Sequence, residues 1–177
     1  LWTDGERTIL RKDNQWGMIN SKGETILPFE FSGIKHGLKG HYIVEKRGEQ
    51  YAYGGMGVYD KNGNVVIPVG HLSIIPFGEI YRLHDLNADK NGIYSAKGTE
   101  ILPAQYHFST VYISESDYGK NIPNSHPERY ISATHTENRQ QFLIRNDGTI
   151  IRPEGSQYVR YHSENHPLVI DMIPANE

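Results

Sequence analysis

The 177 residues of this chain include no cysteine, and no apolar run approaches the roughly 18 residues that a membrane-spanning helix requires. Without cysteine, a disulfide framework and thiol-based metal or redox chemistry are excluded together. Without a long apolar run, we expect no membrane span. No stretch keeps a 3.6-residue apolar period without interruption by glycine or proline, so we also expect no helix of three turns.

The sequence also has no excess of basic over acidic side chains. The net charge is −3, and residues 89–177 carry 8 basic and 11 acidic side chains, whereas residues 1–88 carry 10 of each. A chain without a basic stripe does not neutralise phosphates, so we expect no nucleic acid partner. The acidic second half instead fits a basic protein partner.

The sequence also lacks the short motifs of common enzymes. It has no G-x-S-x-G elbow, no P-loop and no dinucleotide-binding glycine pattern. The nearest acid–base pairs are His84 with Asp85 and Glu115 with Asp117, and one sequence cannot place either pair against a third group. We therefore predict a protein that is not an enzyme and binds no cofactor.

Metal-binding patterns are equally weak. The nine histidines are scattered, and no H-x-x-x-H pair falls on a predicted helix. Residues 87–93 resemble the start of a calcium loop, but Asn87 stands at the first position and Gly98 stands where a bidentate glutamate is required. We interpret this segment as a polar turn and predict no metal site.

A repeated hairpin pattern is present. Four glycines are separated by 40, 35 and 50 residues, and four prolines that follow them show the same three differences. Such a fixed relation indicates an internal repeat. The glycines are Gly23, Gly63, Gly98 and Gly148, the prolines are Pro28, Pro68, Pro103 and Pro153, and the four copies are residues 16–28, 56–68, 91–103 and 141–153.

Each copy predicts a β-hairpin. A short apolar strand enters a three-residue loop whose last residue is a glycine, because that position requires the left-handed conformation. A β-branched strand leaves the loop, and the closing proline, which cannot donate to a ladder, is expected to end that strand at a sheet edge.

Further strands are predicted before each copy, at residues 8–11, 42–45, 80–83 and 129–132, and after the fourth copy, at residues 158–161 and 167–170. The chain is thus predicted to be all-β, a single domain over residues 1–177. We expect an array of four antiparallel β-hairpin or meander repeats. A closed propeller-like ring is the alternative.

The pattern resembles the WG (or KWG) β-repeat family. The resemblance decays along the chain, since Met56 and Asn91 replace the tryptophan and the fourth copy has neither member of the Trp-Gly pair. The resemblance implies a bacterial, non-enzymatic repeat protein. The family includes immunity partners of secreted polymorphic or contact-dependent toxins. The residues that carry it are Asn14-Gln15-Trp16-Gly17-Met18-Ile19-Asn20, Lys22-Gly23 and Ile26-Leu27-Pro28-Phe29.

Two features are candidates for binding a partner. Trp16 is expected to fill the core of its repeat, with a ligand platform as the alternative. The long connection between Pro103 and Arg129 carries paired acids between tyrosines, a composition that protein interfaces favour. We predict partner-binding residues there, with a solvated loop as the alternative. These residues are Tyr112, Glu115, Asp117 and Tyr118.

The function expected from the sequence is protein binding. Its most concrete form is a bacterial immunity protein, cytoplasmic and monomeric when free, that binds and neutralises a basic toxin domain. An exported cell-surface module that binds glycan or peptidoglycan is the alternative, and exposed coplanar aromatic rings would favour it. In that case a signal peptide would have preceded Leu1. A hydrolase would instead require a cleft with a histidine and a carboxylate within hydrogen-bond reach.

Overall fold

The computed structural model describes residues 1–48, 51–85, 89–111, 130–151, 156–162 and 169–174. Within these ranges the chain forms sixteen strands and no helix, which confirms the predicted all-β class. The described residues accordingly contain no helix that could cross a membrane.

The chain forms two compact units, of which the first comprises residues 1–75, 83–89 and 96–98. Its first four strands form an antiparallel sheet in the order β1-β2-β3-β4, and the strands that follow pair in chain order from β5 to β8. The bounds are β1 (Trp2–Thr3), β2 (Arg7–Lys12), β3 (Gln15–Asn20), β4 (Thr25–Phe31), β5 (Gly33–His36), β6 (His41–Gly48), β7 (Tyr51–Asp60) and β8 (Val65–Phe77). A core cluster of this unit contains Ile9, Met18, Leu27, Phe31, Tyr42 and Val44.

The second unit comprises residues 76–82, 90–95 and 99–177, so β8 and β9 (Ile80–Asp85) each have residues in both units. Its strands pair antiparallel in chain order from β10 to β14, and β15 and β16 form a separate hairpin. The bounds are β10 (Asn91–Ser95), β11 (Glu100–Val111), β12 (Tyr130–His135), β13 (Gln141–Arg145), β14 (Ile150–Ile151), β15 (Ser156–His162) and β16 (Val169–Pro174). A core cluster of this unit contains Phe77, Ile80, Ile93, Leu102, Tyr106, Ile131, Ala133, Phe142 and Ile144.

The strand order agrees with the predicted array of meanders. Among the described strands each sheet follows the order of the chain from one edge to the other, and none closes on itself. The observed strands include or overlap all the upstream and terminal strands predicted from the sequence. The sequence did not predict β1 and β5, which have only two and four residues. The assignment of residues 1–177 to a single domain stays a prediction.

The four hairpin turns have the predicted glycine conformation. Gly23, Gly63, Gly98 and Gly148 have φ values of 82°, 86°, 80° and 91°. In the first turn the Gly23 amide donates to the Asn20 carbonyl at 3.0 Å, and the Asn20 amide donates to the Glu24 carbonyl at 2.9 Å. This pattern is that of a tight turn followed by a left-handed residue in a bulge, for which glycine is best suited.

The first three closing prolines do not end their strands, so the sequence prediction was wrong for them, and Pro153 lies outside the described residues. The strands β4, β8 and β11 continue through Pro28, Pro68 and Pro103. In the first copy Leu27 lies opposite Met18, whereas Phe31 lies opposite Trp16. An advance of four residues along β4 therefore spans only two residues of β3, so β4 bulges here. The same shift occurs in copies two and three. Each proline begins a bulge, where its missing amide proton removes no ladder bond.

The bulges explain the glycine of the Trp-Gly pair. At Gly17, Gly57 and Gly92 a Cβ atom would lie 3.0, 3.0 and 2.9 Å from a backbone carbonyl oxygen of the bulged strand. A backbone atom held in a sheet cannot easily move away, so a larger residue would distort the bulge. The three oxygens belong to the residues before the prolines, Leu27, Ile67 and Leu102.

The last three turn glycines have a second role, because each lies against the outgoing strand of the preceding copy. A Cβ at Gly63 would overlap the carbonyl oxygen of Ile26, and one at Gly98 would overlap that of Val66. At Gly148 it would lie 3.1 Å from the side chain of Ile101. Those three contacted residues occupy the same position in their copies. Gly23, in the first copy, is exposed and has no described atom within 4 Å of its Cβ position.

Alanine at the turn glycines tests this packing. All three positions Gly23, Gly63 and Gly98 share a positive φ, so each substitution adds left-handed strain of about 1–2 kcal/mol. The carbonyl overlap should add about 1–3 kcal/mol for Gly63→Ala and Gly98→Ala but not for Gly23→Ala. The free energy of unfolding in urea provides the measurement. Equal losses at the three positions would show that the turns do not pack against the preceding copy.

Asp60 stabilises the second turn through a charged acceptor. Its Oδ1 accepts from the amides of Asn62 and Asn64 at 2.8 and 2.9 Å, and its Oδ2 accepts from the Asn64 side chain at 2.9 Å. Burial raises the pKa of the Asp60 carboxyl, but the hydrogen bonds from Asn64 and Asn62 and the nearby His41 outweigh burial, so the pKa lies below its usual value. In the first copy, Asn20 supplies the same amide acceptor without a charge.

Exchanging these two residue types should change the acid sensitivity of the fold. A depressed folded-state pKa contributes stability that is present above the unfolded value, about 3.9, and is lost as the pH falls through the folded value. We therefore expect Asp60→Asn to lose less unfolding free energy than the wild type between about pH 5 and pH 2. Asn20→Asp combined with Glu24→Asn should lose more, because the double change reproduces the Asp60–Asn64 pair and removes the Glu24 carboxylate that now accepts from Asn20 at 2.6 Å. Urea unfolding across this range provides the measurement, and parallel pH profiles for all three proteins would contradict the assignment.

Candidate functional site

A small pocket lies on one face of the sheet formed by β5, β6 and β7 in the first unit. The strand register places Gly33, Glu45 and Met56 side by side across the three strands, and Lys35 beside Ile43 in the next row. Alternation along a strand brings these five residues to the same face. With Ile34 and Val44 they line a pocket of about 140 Å³.

The residue types in this row explain why the pocket is open. Gly33 has no side chain to cover its end of the row. Met56 occupies the position that Trp16 holds in the first copy, and an unbranched thioether is narrower than an indole. Ile43, which is only 2% exposed, supplies a fixed apolar wall. The pocket therefore forms where the second copy departs from the first.

Glu45 is the acidic group of the pocket. Its side chain is 28% exposed, and its Oε1 accepts from Nε of Arg47 at 3.0 Å, while Arg47 itself is 74% exposed. The carboxylate oxygens lie 3.5 Å from the Cβ position of Gly33 and 3.2 Å from that of Gly54. These two glycines leave room for the carboxylate to lie over the sheet. The pocket thus combines apolar walls with a carboxylate acceptor and the exposed ammonium of Lys35.

The size of the pocket limits what it can bind. Sites for drug-sized ligands measure about 300–1,000 Å³, whereas a cavity of about 150 Å³ accommodates a single benzene ring. At about 140 Å³ this pocket fits one side chain or a fragment of similar size.

The partner-binding residues predicted from the sequence cannot be compared with this pocket. Tyr112, Glu115, Asp117 and Tyr118 lie outside the described residues, so their role stays a prediction. The residues that form the pocket were not predicted. The departure of Met56 from the Trp-Gly pair was visible in the sequence, but nothing there indicated that Gly33 lies beside Glu45, because β5 was not recognised as a strand.

Among the described residues, the aromatic side chains give no support to a flat ligand platform. Trp16 is half-buried and packs against the first core cluster, as the core interpretation predicts. The rings of Trp2 and His36 lie 4.3 Å apart with planes inclined by 70°, which is an edge contact rather than a shared plane. Tyr106 and Phe108 stack with planes 19° apart, but Tyr106 is buried in the second core cluster.

The histidine and acidic residues considered for acid–base chemistry or metal binding are described only in part. His84 hydrogen-bonds Asp89 at 3.0 Å, and because Asp89 is 94% exposed the pair lies at the surface. Asn87 and Ala88 lie outside the described residues, whereas Asp89 has a left-handed φ of 49°, as a turn requires. No group of three or more histidine and acidic side chains able to hold a metal occurs in the described part of the chain. That the protein is not an enzyme stays a prediction.

Comparison with known proteins gives one family match. Residues 16–49 match the family model described as a WG containing repeat. No curated protein and no solved structure matches the chain. The matched segment begins at Trp16 and ends just after β6, so it includes the first hairpin with its bulge and two strands of the pocket. Residues 16–49 are therefore similar to a WG repeat, within a chain of antiparallel β-meanders.

Proposed function

We propose that this chain is a protein-binding scaffold, and more specifically a bacterial immunity protein that binds and neutralises a cognate polymorphic or contact-dependent toxin. The proposed activity is binding rather than catalysis. In this proposal the chain is monomeric when free and acts in the cytoplasm, where it blocks a basic toxin domain.

The pocket at Glu45 and Met56 is the observation that carries the proposal. Binding energy in protein interfaces is concentrated in a few anchor side chains that fill well-packed pockets. A pocket of about 140 Å³ has the size of such an anchor and is too small for most metabolites. It lies on paired strands, which hold its walls more precisely than a loop does.

The toxin-neutralising part of the proposal has different support. It follows from the WG-repeat resemblance, with which the acidic second half of the chain is compatible. Acidic side chains such as Glu115 and Asp117 could face a cleft that normally binds phosphates.

Co-expression tests the proposal directly. The partner to test is any toxin C-terminal domain found to be encoded immediately upstream of this chain. We expect cells that produce both proteins to grow, cells that produce the toxin alone to stop growing, and the purified proteins to form a one-to-one complex. Growth arrest in cells that contain abundant folded protein, together with no complex in solution, would reject the immunity function.

Binding kinetics test the predicted role of the connection between Pro103 and Arg129. Charges at an interface rim mainly affect association, so Glu115→Lys with Asp117→Lys should slow association and weaken its salt dependence. Tyr118→Ala should speed dissociation and cost about 2 kcal/mol or more. Surface plasmon resonance at two salt concentrations provides the measurement.

A matched control changes the net charge by the same amount elsewhere. Glu6→Lys with Glu137→Lys alters two exposed acids of the described surface and should leave both rates nearly unchanged. Equal kinetics for wild type, the charge reversal and Tyr118→Ala would show that this connection does not contact the partner.

A further inference from the structure

We infer that the pocket on β5–β7 binds a tyrosine side chain of the protein partner. This inference rests on the proposed function, since it names the residue through which a protein would be anchored. Three properties of the pocket support it: its volume, the arrangement of its charges and the position of its methionine.

The volume fits an aromatic ring. A cavity of about 150 Å³ holds one benzene molecule, and this pocket measures about 140 Å³. Ile43 and Met56 provide apolar surface for the ring. Because Gly33 has no side chain, one side of the pocket stays open where the occupant's backbone would lie.

The charges favour a neutral group that can both donate and accept a hydrogen bond. Glu45 is an acceptor, Lys35 is a donor, and Arg47 is paired with Glu45. An incoming lysine or arginine would be repelled by the positive charges of Lys35 and Arg47, and an incoming carboxylate would be repelled by Glu45. A phenol hydroxyl donates to a carboxylate and accepts from an ammonium group, so tyrosine satisfies both neighbours.

The methionine favours an aromatic occupant over an aliphatic one. A thioether sulfur about 5 Å from a ring makes an attractive contact. In the first copy the corresponding strand position already carries an aromatic residue, Trp16, which lies opposite Phe31 in the strand register. A partner's tyrosine would thus place a ring beside a strand position that is aromatic in the matched WG repeat.

The probe for this site is N-acetyl-tyrosinamide, followed by ¹H–¹⁵N NMR of the whole chain. We expect amide shifts to be concentrated at residues 33–35, 43–45 and 56, with a dissociation constant on the order of millimolar for so small a ligand. N-acetyl-phenylalaninamide should bind about fivefold more weakly, because it cannot donate to Glu45. Equal affinity for the two probes, or shifts spread over other residues, would overturn the inference.

Variants separate pocket binding from loss of fold. Met56→Trp should fill the pocket and weaken the tyrosine probe at least tenfold. Gly33→Ala should weaken it less, because its Cβ would meet Glu45 at an ordinary 3.5 Å. Gln105→Trp adds the same indole at an exposed position of the second unit and should leave binding unchanged. A folded Met56→Trp protein that binds the probe like the wild type would contradict the assignment.

The toxin complex distinguishes failure of this inference from failure of the proposed function. If the inference holds, Met56→Trp should also weaken toxin binding at least tenfold, whereas Gln105→Trp should not. Toxin binding that is unaffected by Met56→Trp would overturn the tyrosine anchor and leave the immunity function standing. Pocket-specific probe binding without any toxin complex would support the anchor and reject the toxin as its source.

Discussion

The close approach between a bulged strand and a glycine is the constraint on which the repeat depends. At Gly17, Gly57 and Gly92 a Cβ would lie only about 3 Å from a backbone carbonyl oxygen of the bulged strand. The bulge adds residues to one strand only and increases its local twist. A proline fits its first position because no ladder bond is required there. The glycine of the Trp-Gly pair and the residue before the proline therefore form one contact, which explains the constant separation of that glycine and the proline in the sequence.

The turn glycines meet a second constraint, between copies rather than within one. Gly63 and Gly98 need a left-handed backbone for the turn, and they also need the absence of a Cβ because a carbonyl of the preceding copy lies there. Two separate requirements, a positive φ and the absence of a Cβ, thus favour glycine at each of these positions. The regular spacing in the sequence reflects this contact, since moving the turn by one residue would bring a side chain onto Ile26 or Val66. Repeats that make such nearest-neighbour contacts stabilise one another along the chain.

Sequence periodicity was sufficient for the strands and turns because their determinants are local: a left-handed glycine, a β-branched run and a polar loop. It was insufficient for Pro28 and its equivalents, since a bulge and a strand end both remove the need for an amide donor, and only pairing beyond the proline distinguishes them. The pocket could not be predicted, because it depends on β5, a four-residue strand whose glycine gave no periodic signal. The family match covers residues 16–49, which include the one complete Trp-Gly pair of the sequence.

Degeneration of a repeat can create a binding site when the lost residue was a space-filling one. The constraint at Gly57 is retained in the second copy, so its hairpin and bulge keep the geometry of the first. The neighbouring position is not bound by that constraint, and there Met56 replaces tryptophan. The substitution removes volume from a sheet whose backbone is fixed by Gly57 and Gly63, so the space does not collapse but remains as a pocket beside Glu45. Strict positions in the repeat thus maintain the scaffold, and adjacent variable positions determine what the scaffold can bind.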